Sequence, residues 1–241
     1  MGESAGNTYT KASNLGPNNF SVIRVSPIKL LVGVFVFALL FGLIQVGALT
    51  IAFDKLDLSM GSAMLLIFSS LIGSNINLPL FTVDSEPPPE GIPPMPRGPL
   101  DLLLPRYTGK TLIAINVGGA LIPVAFSIYL LTHRTLPGGE VILAIGLQSL
   151  VCYFMSRPIP GLGVGMPVLV APITAALIAV TMNPGQSAPL AYVCGTLGVL
   201  IGADLMRLKD IRRLGTPLAS IGGAGTFDGV FITGIVAVLL A

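Results

Sequence analysis

Long apolar runs separated by short polar stretches dominate the chain from residue 30 onward. A helix needs about 20 apolar residues to cross a bilayer core of about 30 Å, because it rises 1.5 Å per residue. Seven stretches meet or approach this length: 30–53, 60–80, 111–132, 141–156, 165–182, 188–206 and 217–241. The pattern predicts an all-α, polytopic integral membrane protein with about seven transmembrane helices.

Two segments interrupt this pattern. Residues 1–27 are rich in Asn, Ser and Gly, which predicts a flexible polar tail before a single transmembrane helical domain at 28–241. Residues 81–110 carry eight prolines, a density that excludes a continuous helix and favours a solvated loop. We expect this proline-rich loop to join the second and third spans.

Composition supports the membrane assignment, since 53% of the residues are hydrophobic and only 10% are charged. In a seven-span topology every Lys and Arg except Lys55 and Arg134 falls on the side of the N-terminus. The positive-inside rule then places the N-terminus and the 81–110 loop in the cytoplasm and the C-terminus outside. The expected location is the cytoplasmic (inner) membrane of a prokaryote.

Charge also limits the partners. The net charge of +2 is small and its cations are spread over several loops, so nucleic acid is not an expected partner. Membrane lipid is an expected partner, because the basic loop at 207–213 can contact anionic lipid headgroups. Other membrane protein subunits are the alternative partners.

Metal and cofactor chemistry have little support in the sequence. Cys152 and Cys194 lie inside apolar stretches without CxxC or histidine spacing, so we interpret them as buried, reduced side chains. His133 is the one histidine, which leaves no His/Cys cluster for zinc or haem. No metal site and no cofactor are predicted.

The last apolar stretch contains a charge, Asp228, behind the glycines Gly222, Gly223 and Gly225. A carboxylate in the middle of a span costs about 2.5–3.5 kcal/mol on insertion scales. Glycines tolerate irregular backbone where protein covers it or where it lines a cavity. We therefore expect the last helix to be broken, or to follow a re-entrant glycine-rich segment, and to begin near Thr226 with Asp228 in its first turn.

Further polar residues lie at the same predicted depth. Asn75, Asn77 and Asn116 fall at the cytoplasmic ends of the second and third spans, and intramembrane polar side chains face neighbouring helices or a wet cavity. Together with the three glycines they are the predicted cavity-lining residues. Asp204 closes the sixth span, where it either pairs with Arg207 three residues on or faces Asp228.

Two carboxyls sharing a poorly hydrated site do not ionise together, so one keeps its proton and the pair can act as general acid and general base on one water. Here the sequence resembles the GxGD intramembrane aspartyl proteases of the presenilin and signal-peptide-peptidase type. "GAGTFDGVF" is similar to a stretched G-x-G-D-x-x-F, with Thr226 and Phe227 as two extra residues, and Ala203 replaces the tyrosine before the first aspartate. That resemblance implies catalytic roles for Asp204 and Asp228.

A closer resemblance covers residue 65 to the C-terminus. "NVGGALIP", "GADLMRL" and "SIGGAGTFDGVFITGIVAVLLA" are similar to an uncharacterised prokaryotic family of polytopic membrane proteins, a domain of unknown function with a C-terminal GGAGTFDG motif. It implies no mechanism. Three functions therefore stay open: an aspartate-dependent intramembrane hydrolase, a non-catalytic subunit of a membrane complex, and a small-solute or proton-coupled transporter.

Overall fold

Each predicted apolar stretch contains a helix, but the helices are generally shorter than the stretches. The computed structural model describes residues 42, 46–87, 109–159, 163–223 and 229–241. The helices are α1 (Val46–Lys55), α2 (Met60–Gly73), α3 (Ile122–His133), α4 (Gly138–Met155), α5 (Val170–Met182), α6 (Ser187–Val199) and α7 (Gly229–Leu240). The predicted boundary between residues 27 and 28 lies outside the described residues, which belong, apart from Gly42, to a unit at 44–241.

Length and apolarity suit only some of the described helices for crossing a membrane. Gly138–Met155 and the continuous helical stretch Pro184–Leu205 qualify, and α1 with α2 adds a third only if this pair, bent by 111°, counts as one span. The other described helices are apolar but shorter. The described part of the chain is thus mostly helical, with two or three candidate spans.

A sheet corrects the all-α prediction. Strands β1 (Asn77–Asp84), β2 (Lys110–Asn116) and β5 (Leu218–Ile221) lie in the order β1-β2-β5, with β1 and β2 antiparallel and β2 and β5 parallel. A second, two-stranded sheet is separate from the first: β3 (Arg157–Ile159) pairs antiparallel with β4 (Gly163–Gly165).

The strands arise inside three stretches that we predicted as spans. In β2, Thr111, Ile113 and Ala114 are buried, and β-branched residues suit a pleated strand that is covered on both faces. Pro79 prevents α2 from extending, and the pairing of β1 with β2 shifts register between Pro79 and Phe81. The loop predicted at 81–110 is also shorter than expected, because residues 81–84 belong to β1 and residue 110 belongs to β2.

Helix α6 is the centre of the helical bundle. It packs against α3, α4, α5 and α7, and eleven of its thirteen residues are buried. A helix that is covered on all sides needs no polar face, which is why its sequence is apolar all round. Free Cys152 and Cys194 are both buried in this bundle, as predicted.

The bundle has two chemically different ends. At one end, Lys55 donates to the Val238 and Leu239 carbonyls (3.3 and 3.2 Å), and Arg134 forms a 2.6 Å ion pair with Asp57. We call it the Lys55 end. The opposite end carries the three-stranded sheet and the segment 207–213, and we call it the sheet end.

Candidate functional site

Helix α6 changes its winding at the sheet end. After Val199 the chain continues as a π-helical turn, Leu200–Leu205, in the sequence LIGADL. π-helical turns are rare and are frequent at functional sites. This turn contains Asp204, whose side chain is partly buried.

A second π-helical turn, Val117–Leu121, precedes α3. Asn116 caps it, since its Oδ1 accepts from the Gly119 amide at 2.7 Å. The turn lies against the end of α2, where the Ser70 hydroxyl donates to the Gly118 carbonyl at 2.7 Å. A side chain at Gly118 would collide with the Ser70 carbonyl and the Ser74 amide, so glycine permits this approach.

The third irregular element is the turn that follows β5. Gly222 has a φ of +81°, a conformation that glycine adopts without strain, and its amide donates to Asp204 Oδ2 at 2.7 Å. A Cβ on Gly222 would lie 2.7 Å from Ala120. Asp204 thus holds the first turn of the glycine-rich segment against the π-helical turn of α3.

These three irregular elements meet in one apolar cluster. Ala120 of the first π-helical turn packs with Leu200 and Ala203 of the second and with Val230 in the first turn of α7. Asp204 consequently lies where two π-helical turns and the Gly222 turn come together.

Arg207 does not neutralise Asp204. Its guanidinium stacks 4.3 Å from the Tyr153 ring centroid, donates to the Tyr153 and Ser156 carbonyls at 2.7 and 2.9 Å, and pairs with Asp210 at 3.0 Å. It therefore caps the C-terminus of α4 instead. Among the described residues Asp204 forms no ion pair, and the Gly222 amide is the hydrogen-bond donor they supply to it.

A polar network adjoins this carboxylate. Asn116 Nδ2 donates to the Ser74 carbonyl at 2.7 Å and to Asn77 Oδ1 at 3.0 Å, and the Ser220 hydroxyl donates to the same Asn77 oxygen at 2.6 Å. Two predicted cavity residues, Asn77 and Asn116, are thereby brought together. Ser220, two residues before Gly222, was missed, although its place next to the glycines could have indicated it.

The other predicted residues have different positions. Asn75 is exposed and donates to the Leu71 and Ile72 carbonyls of its own helix, away from the network. Gly223 has a φ of +95° and its amide donates to the Ser220 carbonyl at 3.2 Å. Gly225 and Asp228 lie outside the described residues, and α7 begins at Gly229.

These observations define a class: a mostly helical chain with apolar helices compatible with a membrane, and with a carboxylate in a π-helical turn that has no cationic partner among the described residues. The chain belongs to the family DUF1614, described as a protein of unknown function, whose model matches residues 71–240. The match confirms the predicted membership of an uncharacterised family. No curated protein and no solved structure matches the chain.

Proposed function

We propose that the chain is a multi-pass membrane protein with seven spans, its sheet end in the cytoplasm and its Lys55 end outside. The support is the distribution of charge along the bundle. The sheet end carries the described cations Lys110, Arg157, Arg207, Lys209, Arg212 and Arg213, and the Lys55 end carries Lys55 and Arg134. Positive charge collects on the cytoplasmic side of membrane proteins.

Within this frame the protein is a small-solute carrier coupled to a proton or another monovalent cation, and Asp204 is the coupling carboxylate. The observation that carries the proposal is the Asp204–Gly222 contact at the meeting point of two π-helical turns and a glycine turn. A carboxylate in such a place, without a cationic partner among the described residues, is suited to bind a mobile cation.

The coupling follows from the contact that Asp204 makes. As an anion, its Oδ2 is a strong acceptor for the Gly222 amide and holds the glycine turn against Ala120. A proton or metal cation on the carboxylate competes for that oxygen and weakens the hydrogen bond. The turn before α7 is then freer to move, so cation binding at Asp204 changes the position of a backbone segment.

Cation-dependent stability tests the proposal. A ligand that binds the folded state more tightly than the unfolded state raises the melting temperature, even when its binding weakens one local hydrogen bond. We expect Na⁺, Li⁺ or lowered pH to raise the melting temperature of the purified protein in detergent, and Asp204→Asn to abolish that response. Asn keeps an acceptor oxygen for the Gly222 amide, so this variant should stay folded.

The matched control is Asp210→Asn, an acidic residue at the same end that pairs with Arg207. It should keep the cation response of the wild-type protein. Equal responses in all three proteins, or a response lost in Asp210→Asn and retained in Asp204→Asn, would refute the coupling role of Asp204.

An aspartate-dependent intramembrane hydrolase is the second candidate. It is favoured by the direct contact between Asp204 and Gly222, the residue immediately before the GxGD-like stretch that begins at Gly223 and contains Asp228. In that reaction one carboxylate removes a proton from water, the water oxygen attacks the peptide carbonyl, and the other carboxyl protonates the departing amine.

A cleavage assay separates the two functions. A hydrolase cuts a transmembrane reporter peptide in liposomes and loses this activity in both Asp204→Asn and Asp228→Asn. A carrier does not cut the peptide and keeps its cation response. A protein with neither property, whose stability depends on a co-purifying membrane protein, would be a non-catalytic subunit.

A further inference from the structure

A short 3₁₀ helix, Leu208–Arg213, follows Asp204 at the sheet end. Side chains three residues apart eclipse one another in a 3₁₀ helix, because it has three residues per turn. Ile211 and the following Leu214 are therefore aligned, and both are buried against Ile113 of β2. This apolar ridge fixes the helix on the sheet.

The same periodicity places Lys209 and Arg212 together on a different ridge. Both are exposed, and so is Arg213 beside them. Asp210, the acidic residue of this helix, is engaged by Arg207 at 3.0 Å. Among the described residues the side chains of Lys209, Arg212 and Arg213 form no ion pair and no hydrogen bond. Arg213 is aligned with Asp210 and not with this pair, and we call Lys209 and Arg212 together with the adjacent Arg213 the basic ridge.

Among the described residues, the acidic residue Glu86 is in backbone contact with this helix, since its amide donates to the Arg212 carbonyl at 2.7 Å. Asp84 of β1 is opposite Lys110 in the register of β1 and β2. The described part of the chain therefore places three cations without an ion pair beside Glu86, and the ridge keeps a positive charge.

Large apolar side chains are exposed on elements next to the basic ridge, since Arg207, which precedes this helix, contacts the end of α4. They come from the last turn of α4, the approach to α5 and the end of the α6 stretch, and all are more than 40% exposed: Phe154, Met155, Val168, Leu169, Leu205 and Met206. Exposed apolar groups followed directly by free cations match the acyl chains and the phosphates of a lipid leaflet.

We propose that the basic ridge is a binding site for the phosphate of an anionic phospholipid, with Leu205 and Met206 against its acyl chains. The inference uses the membrane setting of the proposed function but is independent of the role of Asp204. It goes beyond a general attraction to lipid, because it assigns headgroup binding to one ridge.

Lipid retention on the purified full chain tests the site. Phosphatidylglycerol and phosphatidylcholine are added to the protein in detergent, and the bound lipids are counted by native mass spectrometry. We expect preferential retention of phosphatidylglycerol, which falls with added salt. Each cation near an anionic lipid surface changes the affinity by about fivefold, so Lys209→Gln/Arg212→Gln should lower this preference by well over tenfold.

The matched control is Lys110→Gln/Arg157→Gln, which removes two exposed cations from the same end but outside the ridge. It should retain the preference within about threefold, since in detergent there is no lipid surface and a cation outside the ridge does not contact the bound headgroup. Equal losses in both double variants, or equal retention of the two lipids by the wild-type protein, would overturn the proposal. Single Gln variants at 209 and 212 serve if the double variant does not fold.

Two further probes separate the sources of negative charge. Inorganic phosphate and a single-stranded RNA oligonucleotide are added at the same ionic strength. Neither should displace phosphatidylglycerol, because neither contacts Leu205 and Met206. Displacement by either probe at concentrations below that of the lipid would mean that the ridge binds that ligand instead, and would also overturn the proposal.

Discussion

At the scale of single residues, the structure depends on glycines at positions where a side chain would be strained or would collide with its neighbours. Gly222 and Gly109 have nearly the same backbone conformation, with φ of +81° and +83°. A Cβ at Gly222 would press on Ala120 and Gly119, whereas a Cβ at Gly109 would meet nothing within 4 Å. The two positions therefore separate backbone strain from crowding.

We predict that Gly222→Ala destabilises the protein by about 3 kcal/mol, as strain and overpacking add, while Gly109→Ala costs about 1 kcal/mol from strain alone. Unfolding by SDS in mixed micelles measures both. Equal decreases in the free energy of unfolding at the two positions would show that the close approach of the glycine turn to Ala120 does not affect stability.

Asn116 gives a second prediction at this scale. Its fully enclosed amide joins the Ser74 carbonyl, Asn77 and the Gly119 amide, so Asn116→Ala leaves buried polar groups unpaired at a cost of about 3 kcal/mol. Exposed Asn75, whose bonds stay within its own helix, is the control, and Asn75→Ala should cost less than about 0.5 kcal/mol. The same SDS titration compares them.

At the scale of elements, the glycines of α6 determine how closely it approaches α4. A Cβ at Gly198 would collide with Gln148 of α4, and a Cβ at Gly202 would collide with Ser149 of the same helix. Contact with α7 involves two other glycines: Gly195 faces Ala237 and Thr233, and Gly234 of α7 faces Thr196 and Tyr192.

We predict that Gly202→Ala destabilises the α4–α6 contact by about 2 kcal/mol, since a Cβ there would meet the Ser149 carbonyl and lie 2.9 Å from Cys152 Cβ. Gly146 of α4 is exposed and has open space around it, so Gly146→Ala should leave stability unchanged or raise it by up to about 1 kcal/mol. Thermal unfolding in detergent gives the comparison, and a harmless Gly202→Ala would contradict it.

The sequence predicted the presence of helices better than their ends, and it did not predict the strands beside them. Apolar runs such as 111–132 and 217–241 have enough hydrophobic residues for a span, and periodicity alone does not separate a buried strand from a buried helix. The strands β2 and β5 form only when residues far apart in the chain, such as Leu112 and Leu218, are paired. Asp204 was selected in the sequence because it is charged, whereas the backbone amide from which it accepts a hydrogen bond has no sequence signature.

At the scale of the whole molecule, alternate connections lie at alternate ends of the bundle. The 55–59, 134–137 and 183–186 connections share the Lys55 end, where a cavity of about 270 Å³ is lined by Lys55, Arg134 and Gln186. The connections between α4 and α5 and between α6 and α7 share the sheet end. A membrane around this bundle would divide the connections into two groups.

We predict that Gly185→Cys is labelled by an impermeant maleimide only from outside the cell, and Asp84→Cys only in inverted vesicles. Both positions are exposed at opposite ends, and the buried native Cys152 and Cys194 contribute little background. Labelling of both positions from one side would refute the proposed topology.

The contact between Lys55 and α7 has a consequence for biogenesis. Lys55 bonds carbonyls that lie 183 and 184 residues later in the chain, so the ribosome must add the whole bundle before these acceptors exist. During synthesis the ammonium of Lys55 is therefore left without these two carbonyl acceptors. After α7 has been synthesised, Lys55 of α1 donates hydrogen bonds to the carbonyls at its C-terminal end. A residue near the beginning of the described chain thereby stabilises the position of the last helix.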